Sequence, residues 1–108
     1  MVSMNTLINS NAADTILHSI NRHIELFDSF KGIYLFGSII NAKKAPNDID
    51  ILLIYAKYSN NIINDVNIIY SVFANLSELP IDLTVLSVEE EKDTMFLERL
   101  NSKYLKLK

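Results

Sequence analysis

The chain has 108 residues, 49% of them apolar and 21% charged, with a formal charge of −3 and no cysteine. These values predict one globular domain over residues 1–108 with a single core, exclude disulfides and zinc–thiolate sites, and argue against direct DNA binding, which needs clustered basic residues. We expect a cytoplasmic protein, because the sequence has neither a basic region followed by an apolar signal core nor an apolar run long enough to span a membrane.

The first half of the chain predicts one helix and one strand. Residues 12–30 place four apolar side chains near helical spacing, and polar residues before them are possible caps; the apolar residues are Ile16, Ile20, Ile24 and Phe27, and the caps are Asn9, Ser10 and Asn11. Residues 33–36 then form a short apolar run that predicts a buried strand ending at Gly37. Residues 38–41 fit a brief helical turn, and the loop 42–47 follows.

The second half predicts two strands and two helices. Residues 48–55 alternate as a strand, and an apolar stripe predicts a helix over residues 60–76; the stripe is Ile62, Val66, Ile69, Phe73 and Leu76. Residues 81–86 alternate as another strand after Pro80. Ser87 and Glu90 have the spacing of a capping box, so a last helix is expected; its core-facing residues would be Leu97, Leu100, Tyr104 and Leu107.

Three aspartates lie on apolar strand-like segments, where aspartate is rare unless it is paired or binds a metal. Asp48 and Asp50 are two residues apart, so their side chains point to the same face of their strand, and Asp82 lies on the next strand. Adjacent carboxylates repel one another unless cations neutralise them. Magnesium prefers carboxylate and phosphate oxygens, so the pattern predicts a magnesium site.

The combination of Gly37-Ser38, the Asp48-Ile49-Asp50 strand and the later Asp82 resembles the minimal nucleotidyltransferase (MNT-type) domain of the polymerase beta superfamily. The resemblance extends over nearly the whole chain. It implies the nucleotidyltransferase fold, an α/β (α+β) architecture in which a small mixed β-sheet of three or more strands is flanked by helices. It also implies transfer of a nucleoside monophosphate from a nucleoside triphosphate, with ATP the expected donor, to an acceptor hydroxyl.

The resemblance gives each matching residue a role. Asp48 and Asp50 would coordinate two Mg²⁺ ions, and Asp82 would complete the shell of the second ion and help to deprotonate the acceptor. Gly37 and Ser38 would hold the triphosphate, since glycine lets phosphate approach the backbone and serine can donate to it. The alternative for the acids is a solvated turn or edge-strand position without a metal.

The segment after Ser38 departs from the family pattern. Many members have a small residue and Arg-Gly there, whereas this chain has Ile39-Ile40-Asn41-Ala42-Lys43. Lys43 and Lys44 are candidates for triphosphate contact, and a solvated loop is an equal alternative. Lysine does not reproduce the bidentate grip of arginine.

Two functions follow from these observations. Small stand-alone domains of this type resemble the antitoxin half of toxin–antitoxin pairs, which attach a nucleotide to a helical HEPN-type partner; a partner protein or a second copy of the chain would complete the acceptor site. The alternative is a catalytically weak or inactive subunit that keeps the fold and binds a partner.

His18 and His23 are expected to be structural or solvated, and four aromatic residues are expected to fill the core: Tyr34, Phe36, Phe73 and Phe96.

Overall fold

A computed structural model describes residues 10–41 and 45–108. It contains four helices and four strands within those ranges: α1 Ser10–Arg22, β1 Gly32–Phe36, β2 Ile49–Tyr55, α2 Asn60–Leu76, β3 Ile81–Ser87, α3 Val88–Thr94, α4 Phe96–Arg99 and β4 Tyr104–Lys106. Two short 3-10 turns, Ile24–Phe27 and Gly37–Ile40, lie on either side of β1. Across this described part of the chain, no helix combines the length and apolarity needed to cross a membrane.

The four strands form one mixed sheet in the order β3-β2-β1-β4. Strand β1 is antiparallel to β2 and to β4, whereas β2 and β3 are parallel. The parallel pair needs a crossover connection, and helix α2 supplies it. The predicted small mixed sheet flanked by helices is therefore confirmed, with four strands.

One face of the sheet carries the hydrophobic core. Its strand residues pack against side chains of α1 and α2, and all of them are less than 10% exposed; they include Ile33, Leu35, Ile49, Ile51, Leu53 and Ile81 from the strands, with Ile16, Ile20, Ile62, Ile69 and Phe73 from the helices. The alternation of side chains along a strand directs these residues to one side. Residues between them in sequence, such as Tyr34, Asp50 and Leu52, therefore lie on the opposite face.

The first helix is shorter than the sequence pattern predicts. It ends at Arg22, and the backbone then tightens into the 3-10 turn Ile24–Phe27. Ile24 would continue the apolar stripe but is 40% exposed, while Phe27 and Phe30 are buried. Both phenylalanines therefore reach the core from backbone that is no longer α-helical. Of the proposed caps, Asn9 lies outside the described residues.

Helix α2 has the predicted bounds, and the turn after β1 lies at Gly37–Ile40, one residue earlier than the predicted 38–41. Ile62, Ile69 and Phe73 are buried as the stripe predicts, whereas Leu76, the last helical residue, is 48% exposed. Strands β1, β2 and β3 agree with their predicted positions to within one residue at each end.

The prediction of one long last helix is wrong. The capping box of Ser87 and Glu90 is present, but α3 ends at Thr94, and Met95 adopts a left-handed conformation with φ 53° that starts the short helix α4. Asn101 and Ser102 also have positive φ and reverse the chain into β4. The expected core residues of this helix, Leu97, Leu100, Tyr104 and Leu107, are therefore divided between α4, the residue after it, β4 and the residue after β4.

Backbone pairing explains why the last segment becomes a strand. Tyr104–Lys106 pairs with β1, and the backbone N–H of Leu107 donates to the carbonyl of Ile33 at 2.8 Å. The Lys108 ammonium also donates to the carbonyl of Phe27 at 2.9 Å. A strand covers the edge of β1, which would otherwise leave backbone groups without partners in the sheet.

Candidate functional site

The three aspartates meet at one end of the parallel strand pair. Asp48 directly precedes β2, Asp50 is its second residue, and Asp82 is the second residue of β3. Asp50 and Asp82 are direct register partners, so their side chains project side by side from the same face. One carboxylate oxygen from each aspartate lies within 4.8 Å of the others. The fold thus converts the spacing in the sequence into a compact cluster.

The electrostatics of the cluster are unfavourable for three bare negative charges. Partial burial, followed by the negative charges of Asp48 and Asp82, raises the pKa of Asp50 from its ordinary 3.8 to about 6. Hydrogen bonds with the same two neighbours act in the same direction, because they favour the protonated form of Asp50. A cation bound between the carboxylates would favour their charged forms and so offset these contributions.

The donor set fits a divalent cation of the magnesium type. Magnesium binds oxygen ligands at about 2.0–2.1 Å in an octahedron, which places ligand oxygens about 3–4 Å apart. The carboxylate oxygens here lie within 4.8 Å of one another, which is close to that range. Asp48 and Asp50 are half-buried, whereas Asp82 is exposed on the edge strand β3, so one side of the cluster is open to an incoming ligand.

Gly37 lies against this cluster. It follows β1 directly and has φ +80°, a conformation that favours glycine. A Cβ atom at this position would collide with a carboxylate oxygen of Asp50 and lie 3.1 Å from its Cγ. Glycine is therefore required here on two grounds, the backbone angle and the close approach of the aspartate.

Ser38 connects the turn after β1 with the entry into β2. Its hydroxyl oxygen accepts a hydrogen bond from the backbone N–H of Asn47 at 3.2 Å, and Asn47 is the residue before Asp48. The hydroxyl hydrogen is not used in this bond. Gly37 and Ser38 therefore lie next to the aspartates, as the sequence motif suggests, although their role in nucleotide binding stays a prediction.

The remaining candidates from the sequence divide into two groups. Lys43 and Lys44 lie outside the described residues, so their proposed contact with the triphosphate stays a prediction. His18 is exposed. His23 packs edge-on against Phe73 with ring centroids 5.9 Å apart, and its Nδ1–H donates to the Ser19 carbonyl at 2.9 Å, which agrees with the structural role expected from the sequence.

Phe73 fills the core as expected. The same expectation is wrong for Tyr34, Phe36 and Phe96. These three side chains are only half-buried, and they lie on the sheet face opposite the core. Phe36 and Phe96 form an edge-to-face pair with centroids 5.4 Å apart, and Tyr34 forms a similar pair with Tyr104. The alternation in β1 contained this signal, because Tyr34 and Phe36 have the opposite parity to the buried Ile33 and Leu35.

These aromatic rings share a face with the acids. Phe36 is the register partner of Asp50 on one side and of Tyr104 on the other. A row across the sheet therefore reads Tyr104, Phe36, Asp50 and Asp82. The acidic cluster is bordered by aromatic side chains on its β1 side and is open on the side of the edge strand.

Comparison with known proteins supports the fold. No protein-family model matches the sequence, and no curated protein is significantly similar to it. Among solved structures, the chain is similar to a protein of Sulfolobus solfataricus whose crystal structure is described as that of a candidate nucleotidyltransferase. The two are 19% identical, the match covers 88% of this chain and 78% of the other, and the TM-score is 0.50. The chain therefore has a nucleotidyltransferase-like fold.

Proposed function

We propose that this protein is an MNT-type, Mg²⁺-dependent nucleotidyltransferase that transfers a nucleoside monophosphate, with ATP as the expected donor, to an acceptor hydroxyl. The observation that carries the proposal is the convergence of Asp48, Asp50 and Asp82 beside Gly37 on a nucleotidyltransferase-like fold. The same residues carry the motif in the sequence.

The reaction is a displacement at the α-phosphorus of the triphosphate. The acceptor oxygen forms a bond to this phosphorus, the bond to the bridging oxygen of the β-phosphate breaks, and pyrophosphate leaves. Two Mg²⁺ ions bound in such a site supply charge neutralisation for the attacking and leaving oxygens. Asp48 and Asp50 would hold both ions, and Asp82 would hold the second.

The protein groups have separate tasks in this scheme. Asp82 is exposed and lies on the open side of the cluster, which suits the acceptance of the proton from the acceptor hydroxyl. Gly37 lets the Asp50 carboxylate lie close to the backbone at the place where the phosphates would bind, and the first N–H groups of the helical turn have no partner within the turn. The Ser38 hydroxyl can donate to a phosphate oxygen while it accepts from Asn47.

For the acceptor we propose a hydroxyl on a partner protein of the HEPN type, as in a toxin–antitoxin pair. Two features support a separate acceptor-binding surface. The site lies beside an edge strand and is open there, and the family resemblance is to small stand-alone domains that modify a partner. A second copy of the chain is the other candidate for completing the site.

Intact-mass measurement tests the proposal. The protein is incubated with Mg²⁺ and each nucleoside triphosphate, with and without the protein encoded beside it. We expect one chain to gain the mass of one nucleoside monophosphate less one water, because the acceptor hydroxyl loses its hydrogen, with the largest yield from ATP. Asp50→Asn should abolish the gain, whereas Asp14→Asn, which changes an exposed aspartate on α1, should not.

A second candidate function is a catalytically weak or inactive subunit that binds a partner. The observation in its favour is that Ile39, directly after Ser38, is fully buried in the core, so its side chain packs in the interior and does not contact phosphate. No mass gain on either chain, together with a stable complex between them, would favour this function over the transferase.

A further inference from the structure

Phe36 and Phe96, which we call the aromatic wall, border the acidic cluster. Their ring centroids are 5.4 Å apart and the ring planes meet at 81°. Phe36 is the register partner of Asp50, and side chains of cross-strand partners lie about 5 Å apart at Cβ. The aromatic wall is therefore in the immediate surroundings of the proposed metal site.

The core does not explain these two rings. Neither belongs to the buried cluster of the opposite sheet face, and each keeps only part of its surface exposed. A phenylalanine side chain buries about 150–250 Å² when it is fully enclosed, so the uncovered part of these two adjacent rings is apolar surface that lies beside three carboxylates. Such a surface is suited to a ligand that has an apolar ring close to a charged group.

Local structure holds Phe96 in position. Met95 adopts the left-handed conformation with φ 53°, which turns the chain sharply between α3 and α4. The Glu91 carboxylate accepts a hydrogen bond from the backbone N–H of Leu97 at 3.1 Å across this turn. The bond ties the backbone next to Phe96 to helix α3, and the contact with Phe36 restricts the ring, so less conformational entropy remains to be lost when a ligand binds.

We propose that the aromatic wall receives the nucleobase of the nucleoside triphosphate. The inference rests on the proposed transferase function and adds a specific ligand contact to it. Phe36 directly precedes Gly37, so one short segment would provide both the aromatic surface and the phosphate contact. A nucleotide joins a flat ring and a charged phosphate chain within one small molecule, and this arrangement of protein groups matches that combination.

Stacking on an aromatic ring discriminates little between bases, because every base has a π face. The aromatic wall should therefore raise the affinity for all nucleoside triphosphates over that for the phosphate chain alone. Alanine substitutions at stacking residues correspond to affinity losses of about 5- to 150-fold per base. The loss expected here is in this range and similar for ATP and GTP.

The test compares ATP with inorganic tripolyphosphate, which has the phosphate chain but no base. Both are titrated calorimetrically, with Mg²⁺, into the wild-type protein, Phe96→Ala and Phe96→Leu. We expect Phe96→Ala to weaken ATP binding at least fivefold and to leave tripolyphosphate binding within twofold of wild type. Phe96→Leu keeps an apolar side chain without the π face, so its affinity for ATP should lie between those of the wild type and Phe96→Ala.

Tyr58→Ala is a matched control. Tyr58 is 56% exposed and forms an edge-to-face pair with Tyr55, whose centroid is 6.2 Å away. Tyr55 is at the opposite end of β2 from the acids, about 16 Å along the strand from Asp50. This variant removes an exposed aromatic ring from another edge-to-face pair and should change neither the affinity for ATP nor that for tripolyphosphate. Thermal melting of each variant checks that it is folded.

The outcomes separate this inference from the function on which it rests. Equal affinity of the wild-type protein for ATP and tripolyphosphate, or an unchanged affinity of Phe96→Ala for ATP, would overturn the nucleobase contact and leave the transferase proposal standing. An equal loss for both ligands in Phe96→Ala would also overturn it, since it would indicate a structural role. Failure of the wild-type protein to bind either ligand with Mg²⁺ would reject both proposals.

Discussion

On one face of the sheet, the strand residues are buried against α1 and α2, and side chains such as Leu35, Ile51 and Leu53 have no exposed surface. The other face carries Asp50 and Asp82 beside the partly exposed Phe36, whose ring contacts that of Phe96 on the short helix α4. Both faces come from the same strands with alternating side chains. One face therefore stabilises the fold, while the other can hold a site whose groups are poorly suited to a core.

This contrast has an energetic consequence. Burial of apolar surface on the core face stabilises the fold, whereas the clustered carboxylates on the acid-bearing face oppose it, as the raised pKa of Asp50 shows. Charged groups in partly buried positions are tolerated when ligands or metals bind them. Substitutions on the two faces should therefore differ in whether they change stability or ligand binding.

The largest effect on stability is expected from Phe73→Ala on the core face. The Phe73 ring is fully buried and lies 5.7 Å from that of Phe27. Its removal leaves a cavity and should lower the free energy of unfolding by about 3–5 kcal/mol, measured by urea denaturation. Leu76→Ala, at the exposed end of the same helix, should cost less than about 1 kcal/mol. Equal losses of unfolding free energy in the two variants would contradict the assignment of Phe73 to the core and of Leu76 to its exposed margin.

Gly37→Ala should affect the acid-bearing face more than the core. The left-handed angle at this residue costs a side chain about 1–2 kcal/mol, and the added methyl group must displace the Asp50 carboxylate. We expect a lower melting temperature together with loss of the stabilisation by Mg²⁺ and ATP. Gly32→Ala is the control: its Cβ would meet the end of the Tyr34 side chain at 2.9 Å, far enough from the acids to keep the ligand-dependent shift.

Ser87→Ala tests the support of the acid-bearing face. The Ser87 hydroxyl accepts from the backbone N–H of Glu90 at 3.0 Å, and the Glu90 carboxylate accepts from the backbone N–H of Ser87 at 2.8 Å. Loss of the cap should lower the free energy of unfolding by about 1 kcal/mol. Ser71→Ala, at an exposed position within α2, should not destabilise the protein. A cap variant as stable as wild type would contradict this.

The metal-free protein should also show a pH dependence of its stability. Since the pKa of Asp50 is about 6 in the folded state and 3.8 ordinarily, the folded state binds more protons than the unfolded state between these values. The contribution of Asp50 to the free energy of unfolding should therefore fall as pH rises from about 4 to about 6 and stay constant above that.

Asp50→Asn removes this titration. The free energy of unfolding is measured by urea denaturation in EDTA at several pH values. Between pH 4 and 6 it should decrease less with pH for the variant than for wild type, and at pH 7 the variant should be more stable. Mg²⁺ should stabilise only the wild type. A variant with the wild-type slope would show that the charges of the cluster do not oppose folding.

Local sequence patterns predicted much of the fold. The stripe of residues 60–76 specified α2 because its 3.6-residue period is long and regular, and the capping box specified the start of α3. The last segment could not be predicted in the same way. Leu97, Leu100, Tyr104 and Leu107 have nearly helical spacing, and only pairing with the free edge of β1 makes residues 104–106 a strand.

The sequence by itself determined which chemistry the protein can offer: no thiol, three aspartates on two strand segments, and a glycine followed by a serine at the end of another. The tertiary structure decided which of those residues lie next to one another. The parallel register of β2 and β3 places Asp50 beside Asp82, and the antiparallel register of β1 and β2 places Phe36 beside Asp50. Strand register depends on long-range backbone pairing and on the burial of one face, so no local pattern specifies it.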